Sequence, residues 1–244
     1  MKHVTFSRAA LPLFFLALAI PSPTSAWAAG DDAAAPLIVT ADFNHDGIAD
    51  FARVTLPGSG RGDAYLTILL GQKDKTLRVA NSRPAVGNDP TAMVVGDFNG
   101  DGNPDVIVAD ANGTLRELLG DGLGGLVPVG EVAHFDSVTS IVLGDFEHNG
   151  RLDLAVMDPD ANSVTILSGA GDGAFHVSWS FPLPMRGKSY GLVTADFNRD
   201  GIPDLAVTNE DDGTFAVMVG SGNGTFTYDP ALSKEVDPNE HCPS

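Results

Sequence analysis

The 244-residue chain carries 32 Asp and Glu against 14 Lys and Arg, a formal charge of −18. That balance excludes a nucleic-acid-binding surface, which needs positive potential facing phosphate. The single cysteine, Cys242, excludes an internal disulfide, and an exposed tail thiol without a role is a simpler expectation than an intermolecular bridge.

In chain order, Lys2 and Arg8 precede an apolar run from Ala9 to Ile20, and Ala26-Trp27-Ala28 offers an A-x-A cleavage site. This three-part pattern predicts a secretory signal peptide over residues 1–28, too short in its apolar run for a membrane span. Cleavage leaves 216 residues (244−28) with a charge of −20, enough for one domain, and no later stretch is apolar over a membrane's thickness. The expected location is therefore extracellular or periplasmic. Residues 29–35 read as a polar lead, 29–234 as the folded domain and 235–244 as a flexible tail.

From Leu37 onward the chain is a series of short β-branched and apolar runs bounded by Gly, Asp, Asn and Pro, which is the pattern of strands. No long 3.6-residue period appears, so almost no helix is expected. One acidic loop recurs four times: DFNHDGIAD from Asp42, DFNGDGNPD from Asp97, DFEHNGRLD from Asp145 and DFNRDGIPD from Asp196. The first residues lie 55, 48 and 51 apart (97−42, 145−97, 196−145), a repeat architecture. Each period holds a strand, the loop, two more strands and a fourth, giving repeats at about 36–85, 91–135, 139–184 and 190–230. The predicted third strand of each ends at a glycine: Gly71, Gly120, Gly169 and Gly220. Four strands per fifty residues describe one blade of a propeller, so the predicted fold class is an all-β propeller of four-stranded blades.

The loops have the chemistry of a hard-cation site. Calcium takes six to eight oxygens. In the first loop the candidate ligands are Asp42, Asn44, Asp46, the carbonyl of Ile48, and Asp50; in the second they are Asp97, Asn99, Asp101, the carbonyl of Asn103, and Asp105. The fourth repeats this with Asp196, Asn198, Asp200, Ile202 and Asp204, and a looser third copy has Asp145, Glu147, Asn149, Arg151 and Asp153. The glycine at the sixth position turns the backbone, freeing the next carbonyl to face the centre. An EF-hand is excluded, because its twelfth position requires Glu and here holds Arg53, Val108, Val156 and Val207. The second-position phenylalanines Phe43, Phe98, Phe146 and Phe197 read as packing plugs, and His45 and His148 as surface residues. Three to four bound Ca2+ ions are expected, the third site being the weakest.

DFNGDGNPDVIV followed by LLGDGLGGL resembles the FG-GAP repeat, grouped with VCBS repeats, which builds the N-terminal propeller of integrin α subunits and many secreted bacterial proteins. The resemblance covers about residues 36–230 and implies that the acidic loop joins the first two strands of a blade and binds calcium. Propellers of the family usually have seven blades. Four blades are thus expected either to close alone or to form part of a larger ring, completed by another chain or by a homo-oligomer.

The resemblance implies a recognition or adhesion module for an extracellular protein or glycan, with no nucleic-acid partner, and not an enzyme. The alternative is a propeller-based carbohydrate-active enzyme or other hydrolase or lyase. No Ser, His or Cys stands in a nucleophile motif, and the aromatic platforms that bind sugars are limited to Trp179, Tyr65, Tyr190 and Tyr228 after the signal. Arg61-Gly62-Asp63 reads as a chance tripeptide on an enlarged turn. Asn112-Gly113-Thr114 and Asn223-Gly224-Thr225 fit a glycosylation pattern in tight turns.

Overall fold

The computed structural model describes residues 37–56, 63–184, 189–209 and 213–233. The chain divides into Met1–Ala33, the region of the expected signal peptide, and Ala34–Ser244. The expected signal segment, Arg61-Gly62, the expected tail and Cys242 lie outside the described residues.

Blade 1 is β1 (Ile38–Ala41), β2 (Asp50–Thr55), β3 (Tyr65–Gly71) and β4 (Leu77–Val79). Blade 2 is β5 (Pro90–Gly96), β6 (Asp105–Asp110), β7 (Thr114–Gly120) and β8 (Leu126–His134). Blade 3 is β9 (Ser140–Gly144), β10 (Asp153–Asp158), β11 (Ser163–Gly169) and β12 (Phe175–Pro182). Blade 4 is β13 (Ser189–Ala195), β14 (Asp204–Asn209), β15 (Phe215–Gly220) and β16 (Phe226–Asp229). Each blade is a meander whose strands pair antiparallel in sequence order. No helix occurs among the described residues.

The second strands explain why the sequence shows apolar runs rather than alternation. All six residues of β6 and of β10 are buried, because a neighbouring blade covers each face. A strand buried on both faces has no solvent side to make polar. The outermost strands have lost this cover, and every residue of β4 is exposed.

Three apolar clusters hold the blades together, one at each step. Phe43, Leu66, Ile68 and Leu70 of blade 1 meet Val106, Val108, Leu118 and Leu126 of blade 2. Phe98, Ile107 and Leu115 meet Leu154, Val156 and Leu167 of blade 3. Phe146, Met157 and Ile166 meet Leu205, Val207, Met218 and Phe226 of blade 4. The first strands β1, β5, β9 and β13 pack on one another in that order. Among the described residues no buried cluster joins blade 4 to blade 1.

The second-position phenylalanines are plugs at all three steps. Phe43, Phe98 and Phe146 are 1%, 3% and 1% exposed. Phe98 meets Phe175 edge-on at 5.6 Å between ring centres, and Phe146 meets Phe226 likewise at 5.5 Å. Such pairs add about 0.5–1.5 kcal/mol to area burial.

The strand-ending glycines have a steric cause. A Cβ on Gly71 would lie 2.5 Å from the carbonyl oxygen of Ala49, and one on Gly120 or Gly220 would strike the carbonyl of Pro104 or Pro203. The acidic loop and the end of the third strand thus touch backbone to backbone.

Phe98→Ala is expected to lower the unfolding free energy by about 3–5 kcal/mol. Urea unfolding with unchanged slope is the measurement, and a loss below 1 kcal/mol would remove the plug from the packing account.

Candidate functional site

The four acidic loops lie between the first and second strands of their blades, at one end of each sheet. Their folding follows from local hydrogen bonds that the aspartates make with their own backbone. The first aspartate accepts N–H groups from the fifth and sixth residues. Asp42 takes them from Asp46 and Gly47 at 3.1 and 2.8 Å, Asp97 from Asp101 and Gly102 at 3.1 and 2.9 Å. Asp145 accepts from Asn149 and Gly150, and Asp196 from Asp200 and Gly201, in the same way. The fifth residue then accepts the N–H of the seventh: Asp46 from Ile48, Asp101 from Asn103, Asn149 from Arg151 and Asp200 from Ile202, at 2.8–2.9 Å. Asn44, Asn99 and Asn198 reach across to the fifth-position carboxylate at 2.8–3.1 Å. Side chains one, three and five are thereby gathered on the inside of the turn.

Two positions reverse the chain. The fourth residue has positive φ in every loop, at His45 (56°), Gly100 (75°), His148 (52°) and Arg199 (66°). The sixth is always glycine, with φ between 79° and 87°. His45 is more than a surface residue: its Nε2 sits 2.8 Å from the side-chain oxygen of Asn103, so the first loop is tied to the second.

The ninth-position aspartate makes a different set of bonds. Asp50, Asp105, Asp153 and Asp204 are each 0% exposed. One oxygen accepts the N–H of the second-position phenylalanine at 2.9 Å in all four loops. The other accepts the N–H of the strand-ending glycine: Gly71, Gly120, Gly169 or Gly220, at 2.7–2.9 Å. Burial pushes the carboxyls of Asp50, Asp105 and Asp153 above the ordinary aspartate value, while these backbone bonds pull the other way. Asp101 is held below the ordinary value, first by the N–H of Asn103.

The third loop differs as its sequence does. Ser168 donates a short hydrogen bond to Oε1 of Glu147, and Asn149 donates to Oε2 at 3.1 Å. Glu147 is thereby drawn toward β11. Among the described residues no three His, Cys, Asp or Glu side chains stand placed to hold a metal ion by themselves. The inner set of each loop comprises two acidic or amide side chains at positions one and five and the third-position side chain. The ninth carboxylate stands behind that set, bonded to backbone.

One residue emerges only from the structure. Glu117, 4% exposed, lies in the step between blades 2 and 3 with Oε1 lacking a hydrogen-bond partner. It lines a cavity of about 390 Å3 together with Glu131, Asp172 and Phe175. Burial, reinforced by the charges of Asp105 and Asp172, raises its pKa to about 7. Its signal was present in the repeat: three residues before the strand-ending glycine, the other blades hold Ile68, Ile166 and Val217.

Four meander blades, each opening on a self-bonded acidic loop and packed face to face, define a β-propeller repeat protein. The FG-GAP-like repeat model matches residues 42–108, 97–156 and 145–207, each match running from one acidic loop past the next. These matches cover more than half of the chain, and the protein belongs to the FG-GAP-like repeat family. No curated protein matches its sequence. Its fold is similar to a crystal structure of a protein from Lactobacillus plantarum, with a TM-score of 0.60 and 15% identity over 79% of this chain and 55% of that one. The chain thus spans about half the length of that structure. It is also similar to a fructofuranosidase from Schwanniomyces occidentalis complexed with fructosylnystose, with a TM-score of 0.52 and 11% identity over 78% and 44% of the two chains. A Tc holotoxin pore from Photorhabdus luminescens matches with a TM-score of 0.50 and 14% identity over 79% and 9%.

Two outcomes are expected from the site's chemistry. In excess chelator, Asp105→Ala leaves two buried N–H groups without acceptors and costs about 2–4 kcal/mol, whereas Asp101→Ala, on the exposed turn, costs under about 1 kcal/mol. Equal losses in urea titrations would contradict separate roles for the two positions. The second concerns Glu117. Between pH 4.5, its ordinary value, and about 7, the folded state keeps a proton that the unfolded chain has released. The stability contributed by that proton is complete below the lower value and is lost as pH rises through the upper one. Glu117→Gln should flatten this decline and raise stability above pH 7 by about 1–3 kcal/mol, read from melting curves across pH.

Proposed function

We propose that the protein is a secreted, calcium-binding repeat module that recognises a protein or glycan outside the cell. The observation that carries the calcium reading is the repeated gathering of oxygen donors. In loops one, two and four, two aspartates and an asparagine are turned inward by the same hydrogen bonds, with no nitrogen or sulfur ligand among them. All-oxygen sets suit hard cations such as calcium over zinc. The residues that would hold the ion are Asp42, Asn44 and Asp46, then Asp97, Asn99 and Asp101, then Asp196, Asn198 and Asp200, with the seventh carbonyls. Asp50, Asp105 and Asp204 keep lone pairs beside their backbone bonds and complete each set. Calcium there would neutralise carboxylates that otherwise repel one another at close range.

Recognition rather than catalysis is supported by where the acidic groups are used. The periodic aspartates are bonded to their own loops, and Glu117, whose pKa is raised by burial, lies between blades and is 4% exposed. A carbohydrate-active enzyme is the second reading. The likeness to a fructofuranosidase, at 11% identity, is one of fold alone.

Metal analysis after dialysis against calcium should find three ions held tightly and a fourth, in the Glu147 loop, held weakly. A ligand at a hundredfold excess over its dissociation constant stabilises by about 2.7 kcal/mol per site. Excess chelator is therefore expected to lower the melting temperature by more than about 10 °C. A chelator-insensitive melt with no bound calcium would refute the metal reading. A glycan array run beside a fructoside and glycoside hydrolysis screen separates the two functional readings, turnover deciding for the enzyme.

A further inference from the structure

The joint between successive blades is built the same way three times. A backbone N–H in the turn before the fourth strand crosses to the preceding blade and donates to the carbonyl of its second-position phenylalanine. Gly124 donates to Phe43 at 3.0 Å, Gly173 to Phe98 at 3.0 Å and Gly224 to Phe146 at 2.9 Å. The residue opening the fourth strand, Leu126, Phe175 or Phe226, packs against that same phenylalanine.

Each half of this joint occurs once more without its counterpart. Phe197 of blade 4 is 39% exposed, against 1–3% for its three equivalents. Leu77, which opens the fourth strand of blade 1, is 53% exposed, where Leu126 and Phe226 are 3% and 5%. Val79, beside Leu77 on the fourth strand, and Ile38, on the first strand of the same blade, are 54% and 50% exposed.

The unmatched halves carry side chains of opposite charge. The turn of blade 1, Gln72-Lys73-Asp74-Lys75, shares one of the two backbone reversals of the others: Lys75 has φ 66° where Gly124, Gly173 and Gly224 have 89°, 87° and 79°, but Lys73 lacks the positive φ of Gly122, Gly171 and Gly222. Its N–H, the one that crosses between blades elsewhere, bonds instead to the carbonyl of Gln72 within the turn. This turn carries two lysines where blades 2 to 4 have none. Arg53 is exposed on the same face, at the position where Val108, Val156 and Val207 are buried. Four of the eight Lys and Arg residues in the described part of the chain belong to this face or its turn: Arg53, Lys73, Lys75 and Arg83. In every internal joint such a turn sits over the acidic loop of the preceding blade. The loop left uncovered is that of blade 4, with Asp196 and Asp200. Residues 234–244, outside the described part, contain one large aliphatic side chain, Val236, and so offer no equivalent of Leu77 with its neighbours.

We propose that two copies of this chain join head to tail. The face of blade 1 bearing Leu77 on one copy seats against the face of blade 4 bearing Phe197 on the other, repeating the internal joint between chains. A head-to-tail contact forms a ring when the rotation closes. Two copies supply eight blades, within the range that propellers adopt, and the proposed ring has two such joints.

The test is the solution mass of the purified protein in calcium across the micromolar range, by sedimentation and light scattering. Twice the single-chain mass is expected, with dissociation at lower protein concentration and weakening by salt. Leu77→Asp and Phe197→Asp each damage both joints of the ring, and each should raise the dissociation constant about thirtyfold or more. Both side chains are exposed within one chain, so the circular dichroism of the variants should match that of the parent. The two variants mixed together should pair through the one joint that remains intact, each capturing the other and neither capturing itself. A single-chain mass for the parent protein overturns the proposal. So does a dimer that survives both substitutions, or a failure of the two variants to capture one another.

Discussion

The structure depends on a buried carboxylate that binds two backbone N–H groups. The ninth-position aspartate of each loop joins the start of the loop, through the phenylalanine N–H, to the end of the third strand, through the glycine N–H. An acceptor-only side chain suits this position, since both partners are donors. Burying its charge is unfavourable, and the two charge-assisted bonds offset that cost. Because the aspartate also begins the second strand, one side chain fixes the loop, two strands and their register together.

From this clip the inter-blade packing follows. With its N–H held by the aspartate, the phenylalanine has its ring fixed toward the next blade and its carbonyl presented to the next turn. Each blade therefore positions its successor through a backbone bond and an apolar plug that meet at one residue. Interaction energy passes between nearest neighbours, as in other repeat proteins. The His45–Asn103 contact adds a polar link between two of the loops, so their geometries are joined directly as well as through the core.

The elements legible in the sequence were those encoded locally. Strands, tight turns and the strand-ending glycines follow from short-range pattern. The phenylalanine plugs stood out because they recur at one offset in every period. What escaped depended on tertiary contacts, within blades as well as between them. The spacing marks Asp105 as a metal ligand, and the folded backbone adds its two N–H partners, Phe98 and Gly120. His45 is exposed, as expected, but its contact was unread because the oxygen it meets is 58 positions away. Glu117 was hidden inside an apolar run, and its burial is set by the Asp172-Gly173 turn of the following blade. The third loop was suspected from its altered acids, but the serine that draws Glu147 aside lies 21 residues on.

The crossing bond from turn to phenylalanine carbonyl has an evolutionary corollary. Its donor and acceptor sit in successive periods, so a genetic cut anywhere within a period, repeated one period later, releases a segment with one donor half and one acceptor half. Duplicating or deleting that segment leaves every remaining joint with both partners. The chain can therefore grow or shrink by whole periods without redesign of its interior, whereas gain or loss of a partial period strands an unmatched surface.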